Sequence, residues 1–127
     1  MSLRSPLGKV RGLGSAKDGT GHWWAQRLSA LALIPLTLWF CVALVSLSGA
    51  DHAAVAAWAG SPVVAGLLIL LIAATFYHAY LGVQVVIEDY VHHEGLKIAG
   101  LLLVKGASVV LALTGILSVL LLLFERA

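Results

Sequence analysis

Three apolar runs dominate this chain and leave it few ways to fold. They lie at about residues 24–48, 63–87 and 97–124, with short polar connectors between them. Each is long enough to cross the ~30 Å hydrocarbon core of a bilayer as a helix. Inside lipid every backbone amide needs a partner within its own segment, so runs of this kind become helices. Of the 127 residues, 61% are hydrophobic and 11% are charged, whereas a soluble domain carries about 25% charged residues. The expected fold is an all-α membrane protein with three transmembrane helices. A basic N-terminal arm, residues 1–21, precedes one three-helix membrane domain, residues 22–127. No separate soluble module fits in the remaining length, and no internal repeat is visible.

The arm carries Arg4, Lys9, Arg11 and Lys17 among glycine and serine and is expected to be irregular up to about Gly21. It lacks the short apolar core and small-residue cleavage site of a secretory signal. The first run therefore reads as a retained span. His22-Trp23-Trp24-Ala25-Gln26-Arg27 marks a membrane interface, where Trp favours headgroup depth and Arg27 can extend toward water. Pro35 lies inside the first span and removes one backbone donor. Ser48-Gly49 ends that span. In the loop that follows, Asp51 is placed to cap a short helix over 53–59, with Trp58 at the interface. Ser61-Pro62 is a start signal for the second span, with serine as the cap and proline at the first helical position. Residues 88–95 read as a short polar loop before the third span. Cys41, the single cysteine, cannot form an internal disulfide and reads as apolar filler.

Basic residues set orientation. The arm and Arg27 supply five, the first loop none, and the second loop Lys97, with Lys105 able to extend to the same side. The N-terminus and second loop are therefore expected in the cytoplasm (or matrix), and the C-terminus outside. The net charge of +2 gives no reason to expect a nucleic-acid partner. In the third span, Ala107, Thr114 and Ser118 form a small-residue stripe expected to serve helix packing.

One ionisable residue sits where only hydrocarbon is expected: His78, roughly a dozen residues from either end of the second span. A group at that depth must face protein or a cavity. Two readings stay open, a neutral imidazole bonded to a neighbouring helix and an axial ligand to a haem. At ~100° per residue, His78, Gly82, Val85 and Asp89 fall on one stripe of the helix. Gly82 removes side-chain bulk one turn from the imidazole. No second histidine lies at membrane depth, since His22, His52, His92 and His93 fall in the arm or loops. A haem held by two protein ligands would therefore take its other ligand from another chain.

Asp89-Tyr90 also has two readings. It is either an ordinary span end or a hydrogen-bonding site for a polar head on an apolar tail, such as a quinone. A phenol can donate to a carbonyl oxygen, and a nearby carboxylate can relay a proton. Arg27 and His22, on the same side, suit anionic groups such as haem propionates.

These features together resemble a known family. His78-Ala79-Tyr80-x-Gly82 followed by Asp89-Tyr90, with Trp24-x-x-Arg27-Leu28-Ser29-Ala30 opening the first span, is similar to the hydrophobic membrane anchor subunit of succinate dehydrogenase, the D-type chain of respiratory complex II. The resemblance extends to the three-span layout. It implies a second anchor chain (the cytochrome b subunit), a flavoprotein subunit and an iron–sulfur subunit as partners, with lipid around the spans. It implies haem b, with His78 as an axial ligand to its iron and Arg27 near its propionates. It implies ubiquinone as substrate, with Tyr90 hydrogen-bonded to it and Asp89 beside the pocket. The location implied is the bacterial inner membrane, ahead of the mitochondrial one. It assigns no role to His22 or to His92-His93-Glu94. The rivals are a fumarate reductase anchor, a cofactor-free structural subunit and, last, a small transporter subunit. This chain has no flavin or iron–sulfur motif, so dehydrogenation belongs to other chains.

Overall fold

The computed structural model describes residues 6–10 and 19–125. Arg4, Arg11, Lys17 and Arg126 lie outside the described residues. The described chain is helical throughout: α1 Pro6–Val10, α2 Gly19–Ser46, α3 His52–Ala59, α4 Pro62–Tyr90 and α5 Glu94–Glu125. Three of them, α2, α4 and α5, are long and apolar enough to cross a membrane. At ~1.5 Å per residue they run ~42–48 Å and outlast a ~30 Å hydrocarbon core.

The ends of these helices differ in places from the sequence expectation. The arm holds a short helix, α1, and α2 begins at Gly19, two residues before the expected break at Gly21. Extending an existing helix adds one hydrogen bond per residue fixed, so the apolar run carries Gly-Thr-Gly along with it. Gly49 closes the far end of α2 at φ 84°, a left-handed conformation that glycine adopts without a Cβ penalty. Asp51 caps α3 as expected, its Oδ1 accepting from the Ala54 amide at 2.8 Å. Ser61 holds the cap position of α4 and Pro62 the first turn, but the serine makes no cap bond. Its hydroxyl instead donates back to the Trp58 carbonyl at 2.9 Å. Glu88, Asp89 and Tyr90, expected in a loop, form the last turn of α4. The Gln84 amide donates to the Glu88 carboxylate at 2.8 Å, an i,i+4 pair that supports this turn. Only Val91, His92 and His93 remain between α4 and α5.

Helix α4 is the middle of the row. It packs on α2 along one side and on α5 along the other. The tightest packing lies at the α3 end. Ala59, Ala65, Leu68 and Val119 are buried there, with Trp39, Phe40, Trp58 and Leu122 around them. Trp58 stacks on Trp39 at 6.0 Å between ring centroids and packs against this cluster. Glycines bring the backbones together. A Cβ on Gly60 would lie 2.5 Å from the Leu122 carbonyl oxygen, and one on Gly115 would lie 3.3 Å from Ile72.

The expected stripe in α5 makes no such approach within this chain. Ala107, Thr114 and Ser118 are all exposed. Thr114 donates to the Val110 carbonyl at 2.8 Å and Ser118 to the Thr114 carbonyl at 2.9 Å, so both hydroxyls are satisfied inside their own helix. Cys41 is exposed too, and is not core filler within this chain. Many large side chains along the spans, among them Leu31, Leu38, Val42 and Leu121, are likewise exposed. Their faces suit lipid or other membrane chains.

Candidate functional site

The bundle is closed at the α3 end and opens at the other. The opening lies where the first half of α2 runs beside the second half of α4. His78 sits 12 residues before the end of α4, ~18 Å along the axis. Antiparallel packing puts Ser29 of α2 beside it.

Ser29 is the one buried polar side chain among the described residues, at 8% exposure. Its hydroxyl donates to the Ala25 carbonyl at 2.8 Å, with the Gln26 carbonyl at 3.1 Å, the usual back-bond of a mid-helix serine. A hydroxyl has one proton and two lone pairs. With the proton committed to the backbone, Ser29 Oγ is an acceptor for its third neighbour, His78 Nδ1, at 3.0 Å. An Nδ1–H tautomer of His78 would donate to that oxygen and keep its lone pair on Nε2. The Gln26 amide nitrogen, a donor, lies 3.4 Å from His78 Nε2. This is a long and weak bond.

His78 borders two hollows. One cleft of about 580 Å³ is lined by His22, Trp23, Gln26, Arg27, His78, Gly82 and Val85, together with Ala30. A second hollow of about 420 Å³ continues past His78 toward Leu33, Ile34, Thr37 and Leu38. The stripe expected on α4 is thus present for His78, Gly82 and Val85. A Cβ on Gly82 would meet only the Gln26 amide, at 3.6 Å. Arg27 stands at the lip of the cleft, exposed, its guanidinium 5.3 Å from the centre of the Trp23 ring. That distance suits a cation–π contact. Two polar atoms here, His22 Nε2 and Gln26 Oε1, are buried without a hydrogen-bond partner. Native structures seldom leave such atoms unsatisfied, and orphaned groups point to a missing ligand or water.

Asp89 and Tyr90 lie beyond the cleft. Both are exposed, and Tyr90 is 78% exposed, so this chain alone makes no pocket around them. Lys105 is exposed on α5 and lines a separate groove of about 300 Å³ with Tyr77, Tyr80 and Ser108. His93 faces the start of α5, its Nδ1 accepting from the Leu96 amide at 3.4 Å. No cluster of three metal-ligating side chains occurs among the described residues. Sequence reasoning quoted Gln26 and Ser29 but gave neither a role.

The fold and the cleft define a multi-pass membrane subunit that presents the imidazole of His78 from an open, mostly apolar groove. A family model described as "Succinate dehydrogenase/Fumarate reductase transmembrane subunit" matches residues 1–124. The chain belongs to that family. It is similar to a "Succinate dehydrogenase hydrophobic membrane anchor subunit" of Rickettsia bellii, at 31% identity over 92% of this chain and 94% of the relative. The protein of the same name from Paracoccus denitrificans is 33% identical over 71% of this chain and 70% of its own length. A "Succinate dehydrogenase membrane anchor subunit" of Reclinomonas americana is 31% identical over 70% of this chain and 77% of its own.

Proposed function

We propose that this chain is the membrane anchor subunit of a succinate:ubiquinone oxidoreductase and that His78 is an axial ligand of haem b. The observation that supports this most is the state of His78. A ligating histidine needs a free lone pair on one nitrogen and usually donates its other N–H to a fixed acceptor. His78 lines the cleft with Nδ1 3.0 Å from the Ser29 hydroxyl, so an Nδ1–H tautomer held by Ser29 would leave the Nε2 lone pair for a metal. The cleft also suits the rest of a porphyrin: apolar walls, no side chain at Gly82, an unsatisfied ring nitrogen at His22, and a cation at the lip. Arg27, held against Trp23, is placed to pair with propionates, since a guanidinium binds carboxylates with two parallel hydrogen bonds. When bound, the haem would supply one-electron transfer within the membrane.

This chain offers one imidazole at depth, so the second axial ligand comes from another anchor chain, the cytochrome b subunit. The exposed faces of α2 and α4 beside His78 are where that chain would dock. Tyr90 and Asp89 contribute to the ubiquinone pocket. The Tyr90 hydroxyl donates to a quinone carbonyl and the Asp89 carboxylate relays a proton toward it. Their exposure here leaves both side chains open to a pocket walled by neighbouring subunits. The flavoprotein and iron–sulfur subunits carry the oxidation of succinate. The N-terminus and the α4–α5 connection face the cytoplasm in a bacterial inner membrane, with the C-terminus outside, an orientation that the distribution of Lys and Arg favours.

Purification in mild detergent tests the reading. The expected product is a complex of this chain with three others that contains haem and reduces ubiquinone with succinate. Recovery of a folded, colourless chain without those partners would overturn it.

A further inference from the structure

We propose that Ser29 is the positioning residue for His78. On this account it fixes the ring as the Nδ1–H tautomer and presents Nε2 to the cleft. The inference rests on His78 being a haem ligand.

A serine inside a transmembrane helix ordinarily satisfies itself by bonding its own i−4 carbonyl, as Thr114 and Ser118 do here. Those two hydroxyls are exposed and touch no other helix through a hydrogen bond that involves a side chain. Ser29 makes the same back-bond and is also buried, with a third partner on another helix. The back-bond has a consequence. It removes the hydroxyl proton from competition and turns the oxygen into an acceptor of fixed direction, because the oxygen is tied to the α2 backbone. An imidazole facing a freely rotating hydroxyl could be either tautomer. One facing a back-bonded hydroxyl is held as Nδ1–H.

Two effects on the iron follow. The ring plane is held, since rotation of His78 about its side-chain bonds would break the Ser29 bond. An N–H donated to an acceptor also makes the opposite nitrogen a stronger base. A more basic ligand favours ferric over ferrous iron. Ser29 therefore lowers the reduction potential of the haem and narrows the range of ring orientations.

The test uses the whole purified complex with Ser29→Ala, Ser29→Cys and Ser29→Thr, and His78→Ala as control. Haem content, the midpoint potential by redox titration, and the ferric low-spin EPR spectrum are read. Ser29→Ala and Ser29→Cys, similar in size to serine but without an oxygen acceptor, should shift the potential upward and broaden or move the largest g value. Ser29→Thr keeps the hydroxyl and should match the wild type in both. A purely packing role for Ser29 would leave potential and g values unchanged in any variant that still binds haem. If the alanine and cysteine variants match the wild type in both readouts, the inference is overturned. Should the alanine variant fail to assemble, the cysteine and threonine variants carry the same contrast. Haem kept with an unchanged spectrum in His78→Ala would instead overturn the ligand reading beneath it, so the two failures are distinguishable.

Discussion

The amide nitrogen of Gln26 lies 3.4 Å from His78 Nε2, on the same ring atom that must be free to reach a metal. In the chain by itself, the Gln26 side chain thus stands against the ring nitrogen that a metal would need. Its own carbonyl oxygen is buried without a partner. A ligand entering the cleft must displace the Gln26 amide. Replacing Gln26 with leucine keeps the volume and removes the competing donor. A net hydrogen bond contributes about 0.5–1.5 kcal/mol, and this one is long, so haem affinity should rise by about twofold to fivefold. Haem titration into cofactor-depleted complex checks it, and weaker binding by the variant would contradict the competition.

Gly82 separates a requirement of the fold from a requirement of the cleft. An added Cβ meets only the Gln26 amide, at 3.6 Å, an ordinary contact. Gly82→Ala should assemble normally and keep haem within about twofold, since contacts of this kind need no backbone shift. Gly82→Leu should still assemble but project into the cleft and lose most of the haem. Haem per complex, measured as the pyridine haemochrome, reads both.

Gly60 should behave in the opposite way. Its φ of −78° suits any residue, so backbone conformation does not require glycine there. Space does, because a Cβ would lie 2.5 Å from the Leu122 carbonyl. Gly60→Ala must push α3 away from α5 and should destabilise the chain by about 1–3 kcal/mol. Thermal denaturation in detergent should show the loss, with the haem spectrum at low temperature unaltered because the His78 cleft is at the other end.

Tyr90 can be tested apart from the haem. Tyr90→Phe removes one donor and leaves the ring. Loss of about 1.4 kcal/mol of transition-state stabilisation corresponds to tenfold in rate. Ubiquinone reduction by succinate should fall by about that factor, while reduction of a soluble dye by the flavoprotein and iron–sulfur subunits stays at the wild-type rate. An equal fall in both assays would count against Tyr90 as a quinone contact.

Much of this was legible in the sequence. Run length and hydropathy marked α2, α4 and α5, and Asp51 and Pro62 marked two helix starts by their backbone chemistry. The 3.6-residue period put His78, Gly82 and Val85 on one line, and all three line the cleft. What stayed hidden was the partner of His78. Helices in lipid are apolar all round, so periodicity does not say which face meets which helix. Ser29, 49 residues away, looked like any serine inside a span. The same ambiguity made Ala107, Thr114 and Ser118 look like a packing face, whereas Gly60 and Gly115 make the close approaches. The end of α4 was misread because Glu88, Asp89 and Tyr90 are polar, and polarity marks the water boundary without ending a helix.

The most direct test of the account is the visible absorption spectrum of the purified complex carrying His78→Ala, set against the wild type at equal protein concentration. The account predicts that the Soret band is lost or greatly reduced while the four chains still co-purify. A Soret band of wild-type height and position in the assembled variant would contradict it.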